Sequence, residues 1–250
     1  MSDLEPLTIS MRSSSFKKIK INPNKLKIKE KSEAEGRFGK VFKGAFVEEP
    51  NRKLAVKIMK NDSSDPNRSP KERLMFENEK YSNLEEEIYA LKSLNHPSII
   101  EFIGYCYLPD CRFNNNLLSV ALIMPWCDNT LFELLHNTEE FRLDKVKIAK
   151  EIADGMNYLH QQKFIHNDLK SNNIFLLKEK VKIADFGVSK IVQKVNMKDI
   201  QVGTVRWMAP EVCRKEENCY SESSDVWSYV NRVVTVLTLF SFEKTKPDLI

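Results

Sequence analysis

The stretch His166-Asn167-Asp168-Leu169-Lys170-Ser171-Asn172-Asn173 decides how this chain is read, together with the apolar runs Ile174 to Leu177 and Val181 to Ala184 and the triplet Asp185-Phe186-Gly187 that follow it. Two short apolar runs split by a polar turn predict an antiparallel hairpin, and a hairpin returns the end of its second strand to the start of its first. Asn173 and Asp185 are therefore expected to meet at its open end. A carboxylate and an amide oxygen brought together suit Mg²⁺, which takes few protein oxygens and completes its shell with phosphate and water. Asp168, just upstream, is close enough to act on a substrate hydroxyl.

Toward the N-terminus the pattern changes. From Lys25 to Lys60 the residues alternate or run apolar in short β-type segments: Leu26 and Ile28, Val41 to Phe46, and Leu54 to Met59. This predicts a small antiparallel sheet. Asn61 to Lys71, with two prolines and several Ser, Asp and Asn, reads as a loop or insertion. A helix is expected next, opened by the capping-box spacing of Ser82 and Glu85 and carried by Leu84, Ile88, Leu91 and Leu94. Glu87 lies on or beside that buried stripe, and a buried carboxylate needs a partner. Lys57, set in the apolar strand Leu54 to Met59, is the natural one. Ile99 to Tyr105 and Leu117 to Met124 read as further strands, and Asp144 to Gln161 as a helix whose apolar face is Ala149, Ile152, Ala153, Met156 and Leu159. A β lobe thus precedes a helical lobe.

Bulk composition narrows the class of protein. The 250 residues are 42% hydrophobic with a formal charge of +4, enough apolar content for a folded core and no basic stripe of the kind a nucleic-acid binder carries. Five cysteines with no C-x-x-C pair argue against a disulfide framework or a zinc site. No apolar run approaches the length of a membrane span, and the N-terminus lacks the core of a signal peptide. The expectation is a cytoplasmic protein, with residues 1–24 a mobile basic and Ser-rich extension that includes Lys17, Lys18 and Lys20.

Taken together, the His166 to Asn173 stretch, Asp185-Phe186-Gly187, the Val56-Lys57 strand and Ala209-Pro210-Glu211 resemble the signature set of eukaryotic protein kinases, in that family's order. The run Gly203-Thr204-Val205-Arg206-Trp207-Met208 is most similar to the tyrosine-kinase-like group of serine/threonine kinases, its mixed-lineage and Raf-like branch. The resemblance implies an α+β bilobal fold: an N-terminal lobe at 25–124 made of a small antiparallel sheet with one helix, and a mainly α-helical lobe at 125–229. It also implies a set of roles. Lys57, held by Glu87, contacts the phosphates of ATP, while Asn173 and Asp185 hold Mg²⁺. Asp168 orients the substrate hydroxyl and accepts its proton. Lys170 sits near the transferred phosphoryl group and Thr204 braces the loop, and both favour Ser or Thr in a protein substrate. Adenine would lie between the lobes on the segment Met124-Pro125-Trp126-Cys127, under Val41 and Ala55. Met124, or alternatively Ile123, would guard the back of that pocket.

Several positions depart from the pattern. The glycine-rich loop reads Ala34-Glu35-Gly36-Arg37-Phe38-Gly39, with Ala34 where the first glycine is usual, so a loop stiffer at its start is expected because Ala lacks Gly's freedom at positive φ. Asn167 stands where most of the family has Arg, and no Ser, Thr or Tyr lies between Lys190 and Gly203. Activity independent of phosphorylation in that loop is the corresponding expectation. The segment Ser221 to Tyr229 resembles the start of a long central helix whose aspartate, here Asp225, anchors the catalytic loop. Beyond it, 230–250 is rich in β-branched residues and reads as a divergent tail of poor helix propensity, so that the second lobe looks C-terminally incomplete. Two functions remain open: ATP- and Mg²⁺-dependent phosphoryl transfer to serine or threonine hydroxyls, and a truncated kinase-like module that binds nucleotide or a partner with little turnover.

Overall fold

The computed structural model describes residues 19–35, 39–59, 88, 91–109, 118–136, 144–185, 190–191, 209–214 and 219–238. The chain divides into two compact units, residues 1–93 with 101–126, and residues 94–100 with 127–250. The change after Trp126 comes two residues later than the boundary expected after Met124.

The first unit is an antiparallel sheet of β1 (Leu26–Glu35), β2 (Gly39–Phe46), β3 (Lys53–Met59), β4 (Gly104–Pro109) and β5 (Leu118–Pro125), in the order β1-β2-β3-β5-β4. Alternation along the strands divides the side chains between two faces. Phe42, Leu54, Val56, Ile58, Cys106, Ala121 and Ile123 form the buried cluster of one face. The opposite face carries Val41, Ala55, Lys57 and Met124, because Val41 pairs with Lys57 and Ala55 with Met124. Ile88 and Leu91 are helical and buried, as their spacing predicts. Ser82, Leu84, Glu85 and Glu87 lie outside the described residues.

Two expectations need correction here. The fourth strand is Gly104–Pro109, not Ile99 to Tyr105. Ile99 and Ile100 are apolar because they belong to the second unit, where Ile183 donates to the Ser98 carbonyl at 2.8 Å and Ile100 donates to the Ile183 carbonyl at 2.9 Å. The end of the N-terminal extension is also built into the fold. Tyr105 donates to the Ile19 carbonyl at 3.1 Å and Ile21 donates to the Tyr105 carbonyl at 2.8 Å, so residues 19–21 cover the outer edge of β4. Gly104 allows that approach, since a Cβ there would stand 2.4 Å from the Ile19 carbonyl oxygen. An unpaired edge strand is a liability, and this segment removes it.

The second unit opens with β6 (Asn129–Thr130), α1 (Leu131–His136) and α2 (Lys145–Gln161). Asp144 caps α2 by accepting from Val146 and Lys147 at 3.0 and 3.1 Å. The buried face of α2 is Ile148, Ile152, Gly155, Met156 and Leu159, with Ala149 and Ala153 half-buried at its margin. There follow β7 (Phe164–Ile165), β8 (Ile174–Leu177), β9 (Lys180–Ile183), β10 (Lys190–Ile191), α3 (Pro210–Cys213) and α4 (Glu222–Thr238). The predicted hairpin is β8-β9, closed by Lys178 and Glu179, both at positive φ, 50° and 64°.

Helix α4 continues to Thr238, through the β-branched residues expected to break it. Each such residue costs only about half a kcal/mol of helix propensity relative to Ala, and tertiary contacts override a cost of that size. The Tyr229 hydroxyl donates to the Ala149 carbonyl at 3.1 Å, and Asp225 reaches His160, so the helix is held against α2 along its first two turns. Among the described residues, no helix is long and apolar enough to cross a membrane.

Candidate active site

Val41, Ala55, Lys57 and Met124 lie in the sheet unit. Lys57 is 9% exposed, at the centre of β3, and shares its face with Val41, Ala55 and Met124. This register separates Met124 from Ile123, the other candidate for the pocket wall: Ile123 is fully buried in the core cluster of the opposite face. Gly39 begins β2 so close to β3 that a Cβ would stand 2.2 Å from the Ile58 carbonyl oxygen. Its lack of a side chain is thus a packing requirement of the sheet. Gly39→Ala is accordingly expected to destabilise the nucleotide-free protein by about 1–3 kcal/mol, read as a lower urea midpoint. An unchanged midpoint would contradict the close approach of the two strands. Ala34 pairs with Val41 in the sheet and is not among the residues at positive φ. Gly36 and Glu87 lie outside the described residues.

Along the connection to the second unit, Pro125 has no N–H, and Trp126 donates its own to the Lys53 carbonyl at 3.1 Å. Neither residue therefore offers a backbone donor to a ligand there. The Cys127 thiol is not a reactive group: burial pushes it up to about 11, against a smaller downward pull from Lys182. Burial likewise pushes Cys106 up to about 12 from 9.0. A thiol held neutral in the fold but ionising near 9 in the unfolded chain stabilises the fold below that pH, and the contribution is lost as pH rises toward its folded value. Above pH 9, Cys106 should cost stability at up to about 1.4 kcal/mol per pH unit. Urea unfolding at about pH 8 and 10 should therefore show a steeper loss for wild type than for Cys106→Ala, and parallel losses would contradict it.

Asp168, Lys170, Asn173 and Asp185 lie in the second unit. Asp168 and Asn173 are joined by two bonds from the Asn173 amide nitrogen, one to the Asp168 carbonyl at 2.8 Å and one to Oδ2 at 3.0 Å. The Lys170 ammonium lies 2.6 Å from the same Oδ2. Both side-chain contacts fall on one carboxylate oxygen, which leaves Oδ1 outside them. At the open end of the hairpin, Ala184 donates to the Asn173 carbonyl at 2.9 Å, so Asp185 follows directly on the residue paired with Asn173, as expected. Asp185 has φ of 67°, a conformation in which Asp is more readily accommodated than most residues. Phe186 and Gly187 lie outside the described residues.

The loop bearing Asp168 is held from below. Asp225, 1% exposed, accepts from the backbone N–H groups of His166 and Asn167 at 2.8 and 2.9 Å. This is the anchoring that the resemblance implied. His160 is a third donor, with its Nε2 3.0 Å from Asp225 Oδ2. Nothing in the local sequence around His160 marks it, and only the long-range contact gives it a place in this network. His166 is fully buried: its Nδ1 accepts from the Asp168 N–H at 3.3 Å, so its Nε2 carries the proton donated to the Ala184 carbonyl at 3.2 Å. One imidazole therefore ties the Asp168 loop to the strand that leads into Asp185. Asn167 has φ of 65°, a left-handed conformation in which Asn is several-fold enriched.

The donor set fits a hard divalent cation. The Asn173 amide nitrogen is committed to Asp168, which leaves its amide oxygen outside those bonds, and its backbone is bonded to Ala184, the residue before Asp185. Amide and carboxylate oxygens, with neither thiol nor imidazole among them, are the ligands Mg²⁺ prefers.

Known proteins resemble this chain over most of its length. The family model for the protein kinase domain matches residues 30–246, reaching well past Tyr229 into the segment expected to have no counterpart. Among curated proteins, the serine/threonine-protein kinase STY17 of Arabidopsis thaliana is 31% identical over 94% of this chain, and STY46 of the same plant 33% identical over 78%. A Raf homolog serine/threonine-protein kinase of Caenorhabditis elegans is 34% identical over 78%. The chain spans only 38%, 30% and 22% of the length of these three relatives. The resemblance to the tyrosine-kinase-like group is thus matched by Raf-like and plant serine/threonine kinases. The chain belongs to the protein kinase domain family.

Proposed function

We propose that this chain transfers the γ-phosphoryl group of ATP to serine or threonine hydroxyls of a protein substrate, with Mg²⁺ as its metal, in cytoplasmic signalling. The observation that carries the proposal is the clustering of Lys170 and Asn173 on a single oxygen of Asp168, in a loop anchored by a buried carboxylate. Asp168 Oδ1 takes the hydroxyl proton, and the Lys170 ammonium, already beside Oδ2, offsets negative charge that develops on the transferred group. Lys57 contacts the α- and β-phosphates, with Glu87 in the counter-charge role that the family pattern implies for it. Gly36 and Gly39 bring backbone near the phosphates, Val41 and Ala55 cover the base, Met124 walls it, and the Cys127 N–H bonds it. Asn173 and Asp185 hold Mg²⁺, which neutralises phosphate charge when bound.

The test is transfer of labelled phosphate from ATP to a generic protein substrate, with wild type beside Asp185→Ala, after both show cooperative unfolding. Label on Ser and Thr is expected, at least about a hundredfold weaker for the variant. Equal labelling by the two proteins would remove the enzyme reading. Nucleotide binding without labelling would leave a binding module.

A further inference from the structure

Glu33, Lys43 and Trp126 form a chain of contacts across the sheet unit beside the nucleotide face, and neither Glu33 nor Lys43 has a part in the roles assigned above. Lys43 lies in β2, directly opposite Ala55 of β3, which in turn pairs with Met124 of β5. Lys43, Ala55 and Met124 therefore form one row across three strands, on the same face as Val41 and Lys57. The Lys43 ammonium is engaged outside that row. It lies over the ring of Trp126, 4.4 Å from the centroid, and 3.4 Å from Glu33 Oε1 of β1. Trp126 is fixed a second time by its N–H bond to Lys53. The segment that would hold the base is thus fastened to β3 through its backbone and to β2 through its ring.

We propose that Lys43 is a positioning residue for adenine: its stem extends the row formed by Ala55 and Met124, while its charge clasps Trp126 and so holds the hinge segment against the β1-β2 hairpin. The inference rests on the nucleotide reading given above. Its chemistry separates binding from the transfer step. The ammonium is engaged by an indole face and a carboxylate, and it sits two residues along β2 from Val41 and one row from Lys57. Losing it loosens the support of the base without removing any group that acts on phosphate. A cation–π contact also sets the substitution pattern, because Arg preserves it and an uncharged chain of similar length does not.

The experiment measures the dissociation constant of Mg-ATP by calorimetry and, in parallel, KM for ATP and kcat, for wild type, Lys43→Met, Lys43→Arg and Trp126→Leu. Lys43 is part exposed, with 32% of its side chain accessible, so the substitutions should leave folding intact. Lys43→Met is expected to weaken ATP binding and raise KM by roughly three- to tenfold, the scale of one such contact, with kcat within about twofold of wild type. Lys43→Arg should restore wild-type binding. Trp126→Leu should weaken binding, and adding Lys43→Met to it should cause little further loss, since both remove the same contact. Unchanged binding in Lys43→Met, equal loss in Lys43→Arg, or a parallel fall in kcat overturns the clasp while wild type still binds ATP. Absence of ATP binding by wild type itself would instead overturn the nucleotide reading, and the clasp with it.

Discussion

Asp225→Ala is expected to lower the stability of the protein by roughly 3–5 kcal/mol, the largest loss of any substitution considered, although Asp225 is not assigned to touch substrate. The side chain is 1% exposed and accepts three hydrogen bonds, from the backbone of His166 and Asn167 and from His160. Alanine deletes the acceptor but leaves the three donors in place, and a buried donor without a partner costs about 1–3 kcal/mol. Water entering the space relieves part of that cost, which sets the range. Asp225→Asn should lose less, because the amide oxygen can keep one side of the network while its nitrogen meets a donor on the other. Urea unfolding of the three proteins measures the order wild type, Asn, Ala. A loss for Ala within about 1 kcal/mol of wild type would show that the loop holds its shape without the anchor.

Asp168→Asn is expected to cut kcat for phosphoryl transfer by about a hundred- to ten-thousandfold, the usual worth of a positioned general base. The substitution is nearly isosteric, so the loop should keep its shape. What disappears is the negative charge at 2.6 Å from the Lys170 ammonium and the capacity of Oδ1 to take a proton. ATP affinity should stay within about threefold of wild type, because Asp168 has no assigned contact with the nucleotide. That split between kcat and binding distinguishes loss of a base from general damage to the site. A variant that retains more than a tenth of wild-type kcat would take Asp168 out of the chemical step.

Much of the candidate site is local in the chain, and local features were legible from residue order. The Ile174 to Leu177 and Val181 to Ala184 runs predict the hairpin, and the hairpin alone brings Asn173 beside the start of the Asp185 segment. Alternation in Leu54 to Met59 places Lys57 and Ala55 on one face. Propensity misled where tertiary contacts outweigh it. Residues 230–250 read as a tail of poor helix propensity, yet the helix that begins at Glu222 carries on to Thr238. Ile99 and Ile100 read as the start of a strand in the sheet, yet they pair with β9 in the other unit.

Residue order by itself determined the kinase signature, the strand and helix types, and the hairpin that joins a carboxylate to an amide, because each depends on neighbours within a few residues or on alternation along one strand. Only the tertiary structure decided that His160 shares Asp225 with the catalytic loop, that residues 19–21 cover the edge of β4, and that Lys43 lies on Trp126. Those contacts join segments 65, roughly 85 and roughly 80 residues apart, and they rest on the register of one element against another. Hydrophobic periodicity specifies which face of a strand or helix is buried. It leaves open which polar group stands opposite, and that choice is made only when the elements pack.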